Sequence, residues 1–162
     1  MKRINYTVWM LVYKKRIPKT LYRKIHQILP IITVDLVVKS GFNFLLVKRK
    51  NEPEANVWYF PGGRLFKNEH LLDAAKRKLR EETGLSGKNY KLLGIHEHFY
   101  NPKLSYFKGF GSHVLAVVYK VEVSKKGNIK LDSQSSDFKW FSKVEKYFPS
   151  YLKKFLKISG FS

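Results

Sequence analysis

The stretch Gly62-Gly63-Arg64-Leu65-Phe66-Lys67-Asn68-Glu69, continued by His70-Leu71-Leu72-Asp73-Ala74-Ala75-Lys76-Arg77-Lys78-Leu79-Arg80-Glu81-Glu82-Thr83-Gly84-Leu85, decides how this chain is organised. Pro61, Gly62 and Gly63 are turn residues that end a strand-like run, and Asn68 has the short polar side chain that caps a helix. Leu72, Ala75 and Leu79 then recur on one face until Gly84, a residue type that closes helices in the left-handed conformation. Residues 62–85 therefore predict a loop feeding a short amphipathic helix.

Adjacent Glu81 and Glu82 fall in the last turn of that helix, where the macrodipole disfavours each carboxylate by up to about 1 kcal/mol. A positive charge must compensate them. Arg77 and Lys78 are four residues back from Glu81 and Glu82 and can form ion pairs, although base before acid is the weaker order. A hard divalent cation is the other candidate, since Mg2+ is commonly held by one or two carboxylates and a substrate phosphate.

Gly63, five residues, Glu69, seven residues, Arg77, then Leu79, Glu81, Glu82, Gly84 and Leu85 resemble the signature of the Nudix hydrolases. The resemblance implies an α/β fold, a Nudix-type α/β/α sandwich with a mixed curved β-sheet. It implies that the Gly62 carbonyl and the carboxylates of Glu81 and Glu82 face Mg2+, or Mn2+ in its place, bridging to a diphosphate. It assigns Gly63, Glu69 and Arg77 structural parts, the last two bracing the loop against the helix. One position departs: Lys78 stands where the signature has a glutamate that is a metal ligand or general base in many members.

The 162 residues fit one domain, 1–162, large enough to bury about two thirds of its unfolded surface. With no cysteine, disulfides, thiolate metal sites and a cysteine nucleophile are excluded, which agrees with a cytoplasmic protein. The net charge of +20 suggests polyanionic partners, either phosphorylated small molecules or nucleic acid, or else a solvated lysine-rich surface.

Residues 1–17 hold a short apolar run between basic clusters, too short to span a bilayer and without a cleavage site, and predict an N-terminal arm that adds a strand or a dimer contact. Residues 18–29 predict an amphipathic helix from Leu21, Ile25, Ile28 and Leu29 between Pro18 and Pro30, with His26 in a structural part. Residues 31–38 and 42–49 predict a hairpin whose first strand contains Asp35, an acid that needs a partner if buried. Residues 92–98 and 114–123 predict two more strands. Between them lies a loop whose aromatics either stack on a base or pack on the fold. Residues 142–159 predict C-terminal helices, the first opened by Ser142-Lys143-Val144-Glu145 and interrupted at Pro149.

Leu29-Pro30 before Val34-Asp35, Leu45-Leu46 before Lys48-Arg49, Trp58 before Pro61-Gly62-Gly63-Arg64, and His98-Phe99-Tyr100 resemble the GDP-mannose mannosyl hydrolases, a Nudix branch acting on GDP-hexoses. That branch also lacks the glutamate replaced by Lys78. The resemblance spans about residues 18–141. It implies catalytic parts for Arg49, Arg64 and His98, substrate binding by Asp35, Arg49, Arg64, His98 and Tyr100, and metal binding by Gly62, Glu82 and Gln134; Glu81, present where that branch often lacks an acid, joins the metal set through the Nudix signature and is with His98 a candidate catalytic base. It also implies a homodimer. Ser135 stands where that branch has a catalytic histidine, and a serine hydroxyl is no base near neutral pH unaided.

The leading expectation is Mg2+-dependent hydrolysis of a nucleotide sugar such as GDP-mannose to GDP and sugar. Cleavage of a P–O bond in a nucleoside diphosphate derivative such as ADP-ribose, or in an NTP, is the alternative among enzymes. A non-catalytic module that binds nucleotide or RNA is the alternative of another class, motivated by the charge, Lys78 and Ser135. A membrane partner is not expected.

Overall fold

The computed structural model describes Val12, residues 17–124, Gly127, residues 129–131 and residues 133–162. The arm expected over 1–17 lies outside the described residues apart from Val12 and Ile17. No helix among the described residues is long and apolar enough to cross a membrane.

A helix, α1 (Lys19–Ile28), precedes the β-branched run, which forms β1 (Ile31–Ser40), the centre of a seven-stranded mixed sheet. The chain turns at Gly41 into β2 (Asn43–Arg49), antiparallel to β1. Two short strands follow: β3 (Trp58–Tyr59) pairs with β2, and β4 (Gly62–Arg64) pairs with β1. After helix α2 (Leu71–Thr83) come β5 (Lys88–Tyr100), an edge strand, and β6 (Ser112–Glu122), which runs parallel to β1. Finally β7 (Ser135–Phe141) pairs with β2, and α3 (Ser150–Ile158) ends the fold.

The hairpin of β1 and β2 is paired only at its closed end, from Val38↔Leu45 to Ser40↔Asn43. Beyond Val38 the two strands splay, because each has found another partner: β4 on β1, and β3 and β7 on β2. A cleft opens where they separate.

β1 is buried on both faces, and side-chain alternation along it divides the core. Val34, Leu36 and Val38 pack on Ala74, Ala75 and Leu79 of α2. Val37 lies on the opposite face in the cluster that holds Tyr151, Leu152, Phe155 and Leu156 of α3. One helix thus covers each face, which makes the expected α/β/α sandwich. Asp35 shares the parity of Val37 and so points toward α3.

Three local expectations change. In α1 the inward residues are Tyr22, Ile25 and His26, whereas Leu21, Ile28 and Leu29 are exposed. The reason is tertiary: Tyr106 and Phe107 of the loop before β6 pack on the rings of Tyr22 and His26. Those two aromatics therefore serve the fold. The C-terminal segment has one helix where two were expected. Residues 142–149 form bends and turns, and Pro149 sits at the N-cap of α3, where its missing N–H has no partner to lose.

At Gly62 a Cβ would lie 2.5 Å from both Asp35 Oδ1 and the Val34 carbonyl oxygen, and a main-chain atom cannot swing aside. Gly62→Ala is expected to destabilise the fold by about 2 kcal/mol, a fall in Tm of about 4–8 °C in a thermal melt.

Candidate active site

The box stretch begins as a strand, not a turn, since Gly62–Arg64 form β4 on β1. Asn68 does not cap the helix. Its φ of 65° reverses the chain one turn early, and His70 occupies the N-cap of α2. At the other end Gly84 closes the helix in the left-handed conformation, with its N–H donating to the Arg80 carbonyl at 3.0 Å. Between these ends Arg77 donates to Glu69 at 2.6 and 2.8 Å and to the Arg64 carbonyl at 3.1 Å. Glu69 in turn accepts the Phe66 N–H at 3.0 Å. This network ties loop to helix.

The cleft in the splayed hairpin is small, about 60 Å³, and is lined by Asp35, Arg49, Tyr59, Gly62, Gly63, Glu82, Gln134 and Ser135 among others. Glu82 is held with one carboxylate oxygen accepting the Gly62 N–H at 2.9 Å and the other 3.2 Å from Lys78 Nζ. The Gln134 carbonyl accepts the Lys50 N–H at 3.0 Å, which fixes its chain beside β2. Arg49 donates to the Pro53 carbonyl at 2.8 Å and lies 5.4 Å above the Tyr59 ring.

Two expected members stand elsewhere. Glu81 lines a different cleft with Phe66, His70, Asp73 and Arg80, and its carboxylate is 2.9 Å from Arg77 and 3.4 Å from Lys78. Arg64 is not in the Asp35 cleft; its guanidinium lies 5.4 Å from the rings of Tyr22 and Phe66. Both departures follow from the box being strand then helix, which fixes where each side chain leaves the backbone.

Asp35 has the partner its burial required: Tyr151 donates to it at 2.8 Å. Burial pushes its carboxyl up to about 6, and this hydrogen bond and Arg49 only partly oppose the rise. His98 accepts from or donates to the Tyr59 hydroxyl at 3.2 Å, and its ring stacks on Tyr100. Burial, His96 and Arg49 lower His98 to about 4, so the imidazole is neutral near pH 7. Tyr100 is pushed up to about 12 by burial. His98 and Tyr100 therefore form a layer behind Tyr59 instead of lining the cleft directly.

Gly62, Glu82 and Gln134 share one cleft and offer main-chain, carboxylate and amide oxygens, the hard donors that Mg2+ takes. In donor chemistry they suit one such ion. Among the described residues no group of three or more His, Cys, Asp or Glu is placed to hold a metal, so water and substrate phosphate would have to complete the shell.

The NUDIX domain family matches residues 29–155, and the chain belongs to that family. It is 36% identical over 142 residues to the low-salt glycan biosynthesis protein Agl8 of Haloferax volcanii, covering 87% of this chain and 89% of that one. It is 29% identical over 130 residues to the ADP-ribose pyrophosphatase of Methanocaldococcus jannaschii, covering 80% and 70% respectively. A MutT NUDIX hydrolase from Burkholderia pseudomallei has the same fold, with a TM-score of 0.66 at 23% identity over 79% of this chain and 96% of that one. The protein is a Nudix hydrolase, and such enzymes are generally dependent on a divalent metal.

Three contributors were not legible beforehand. Tyr151 reads as an apolar position of the last helix, and its hydroxyl meets Asp35 across 116 residues of sequence. Tyr59 looks like one more strand aromatic. Glu54 sits in a connection at φ 62°, its carboxyl raised by burial with Arg49 opposing.

The Asp35 shift has a stability consequence. The native carboxyl keeps its proton up to about pH 6, whereas the unfolded one loses it near pH 4. Its contribution to folding is full below pH 4 and is lost as pH rises through 6, at a cost of roughly 2–3 kcal/mol at pH 7. Asp35→Asn is expected to raise Tm above pH 7 and to remove this component between pH 4 and 6, measured in parallel melts with the wild type.

Proposed function

We propose that the protein hydrolyses a nucleotide sugar, GDP-mannose or a related GDP-hexose, with Mg2+, or Mn2+ in its place, as cofactor. The supporting observation is one cleft that joins a cation, Arg49, to oxygen donors from Gly62, Glu82 and Gln134 and to the buried acid Asp35. The name of the Haloferax relative, a glycan biosynthesis protein, supports a sugar-linked substrate.

In this reading the chemistry a Mg2+ ion would supply is screening of the diphosphate, which would make it a better leaving group. Gly62, Glu82 and Gln134 would hold it. Arg49 donates to the diphosphate and is kept in place by Pro53 and Tyr59. Water attacks the sugar C1, the C1–O bond breaks, and GDP leaves with the bridging oxygen. Ser135 is no base, and Glu81 faces another cleft with its carboxylate tied to Arg77. Asp35, which ionises near pH 6, is the group tuned to take the proton from water. Neutral His98 acts through Tyr59, which lines the cleft and whose hydroxyl it meets at 3.2 Å, and so positions Tyr59 toward the sugar. Tyr100 stacks behind it and extends the same wall. Arg64 assists only if substrate extends toward Tyr22.

Cleavage at phosphorus of an ADP-ribose-like substrate is the second reading, favoured by the adjacent acids Glu81 and Glu82 and by the methanogen relative. The homodimer belongs to the leading proposal. It is supported by edge strand β5, which leaves Ile95 and Phe99 56% and 73% exposed.

Incubation with GDP-, UDP- and ADP-sugars and Mg2+ in 18O-labelled water, with products read by mass spectrometry, separates the readings. Label in free hexose with unlabelled GDP is the expected outcome; label in a phosphate product selects the second reading. Glu82→Gln is expected to lower kcat/KM by about 100-fold in the same assay.

A further inference from the structure

Lys78 is a buried ammonium ion at the boundary of two clefts. Its side chain is only 10% exposed, and Nζ lies 3.2 Å from Glu82 and 3.4 Å from Glu81. A buried charge persists only when paired, and here it is paired with both carboxylates at once. Lys78, Glu81 and Glu82 are spaced i, i+3 and i+4, so helix α2 presents all three on adjacent positions of one side. The space for the ammonium is provided by Gly63, where a Cβ would lie 2.7 Å from Lys78 Cε and 2.9 Å from Nζ. The last turn of α2 adds its own partial negative charge to the attraction.

We infer that Lys78 is a tethered cation standing in for a divalent ion between Glu81 and Glu82. A Mg2+ or Mn2+ ion shared by these acids needs oxygens at about 2.0–2.2 Å, in space that the ammonium occupies. Like charge disfavours the two together. The pair is thus partly neutralised at all times, and the protein needs fewer exchangeable ions than the two acids suggest. Glu82, with Gly62 and Gln134 on its other side, keeps its place in the Asp35 cleft. Glu81 is withdrawn from metal binding by Arg77 and Lys78 together.

The inference rests on the reading of this cleft as a metal-assisted hydrolase site. Its test is a difference in metal number, independent of turnover. Mn2+ binding to the full chain, followed by calorimetry and by the loss of the free Mn2+ EPR signal, is compared between wild type and Lys78→Glu. The variant places three carboxylates at i, i+3 and i+4 and is expected to bind one more ion per chain. An equal number overturns the inference. A wild type that binds no Mn2+ counts against the proposed metal dependence, not against this comparison. Lys78→Met removes the cation without adding a ligand and keeps the question open to test if Lys78→Glu does not fold. It is expected to melt lower than wild type without metal and to bind Mn2+ about tenfold more tightly. Unchanged melting and unchanged Mn2+ affinity overturn the inference.

Discussion

The hydrogen bond from Tyr151 to Asp35 joins the parts of this fold that matter for chemistry. Asp35 interrupts the most apolar strand of the sheet, and side-chain alternation turns it toward α3. An unpartnered acid there would cost several kcal/mol, or stay protonated. Tyr151 is both its partner and the centre of an aromatic layer, since Tyr59, His96 and His98 all pack on its ring. α3 is therefore more than a cover for one sheet face. It fixes the acid at the base of the cleft and the imidazoles beside it.

The second constraint acts from the opposite face. β4 has to lie close enough to β1 that Gly62 opposes Asp35, and close enough to α2 that its N–H reaches Glu82. Only residues without side chains satisfy both, so Gly62 and Gly63 sit where strand, helix and cleft meet. The Glu69–Arg77 network holds the far end of the same segment. The electrostatics follow: acids and bases of α2 neutralise one another locally within a chain of net charge +20.

Much of this was legible in the chain itself. Hydrophobic periodicity and the bounding prolines located α1, and the β-branched run with its Ser40-Gly41 turn located β1 and β2. Gly84 marked the end of α2. What failed were features decided by long-range contacts. Which face of α1 is buried depends on Tyr106 and Phe107, about 80 residues away. The capping-box pattern at Ser142 lost to packing that starts α3 at Pro149. That Lys78 pairs with both Glu81 and Glu82 is something spacing allows but does not decide. Tyr151 carried no local sign of its role, because its partner is fixed only when α3 docks on the sheet.

The central claim is that the cleft in the splayed β1–β2 hairpin, not the one beside Glu81, receives the nucleoside diphosphate. A crystal structure of the full chain with Mg2+ and GDP tests this most directly. The account predicts one ion contacted by Gly62, Glu82 and Gln134, with the diphosphate against Arg49. A diphosphate seated instead among His70, Arg80 and Glu81 would contradict it.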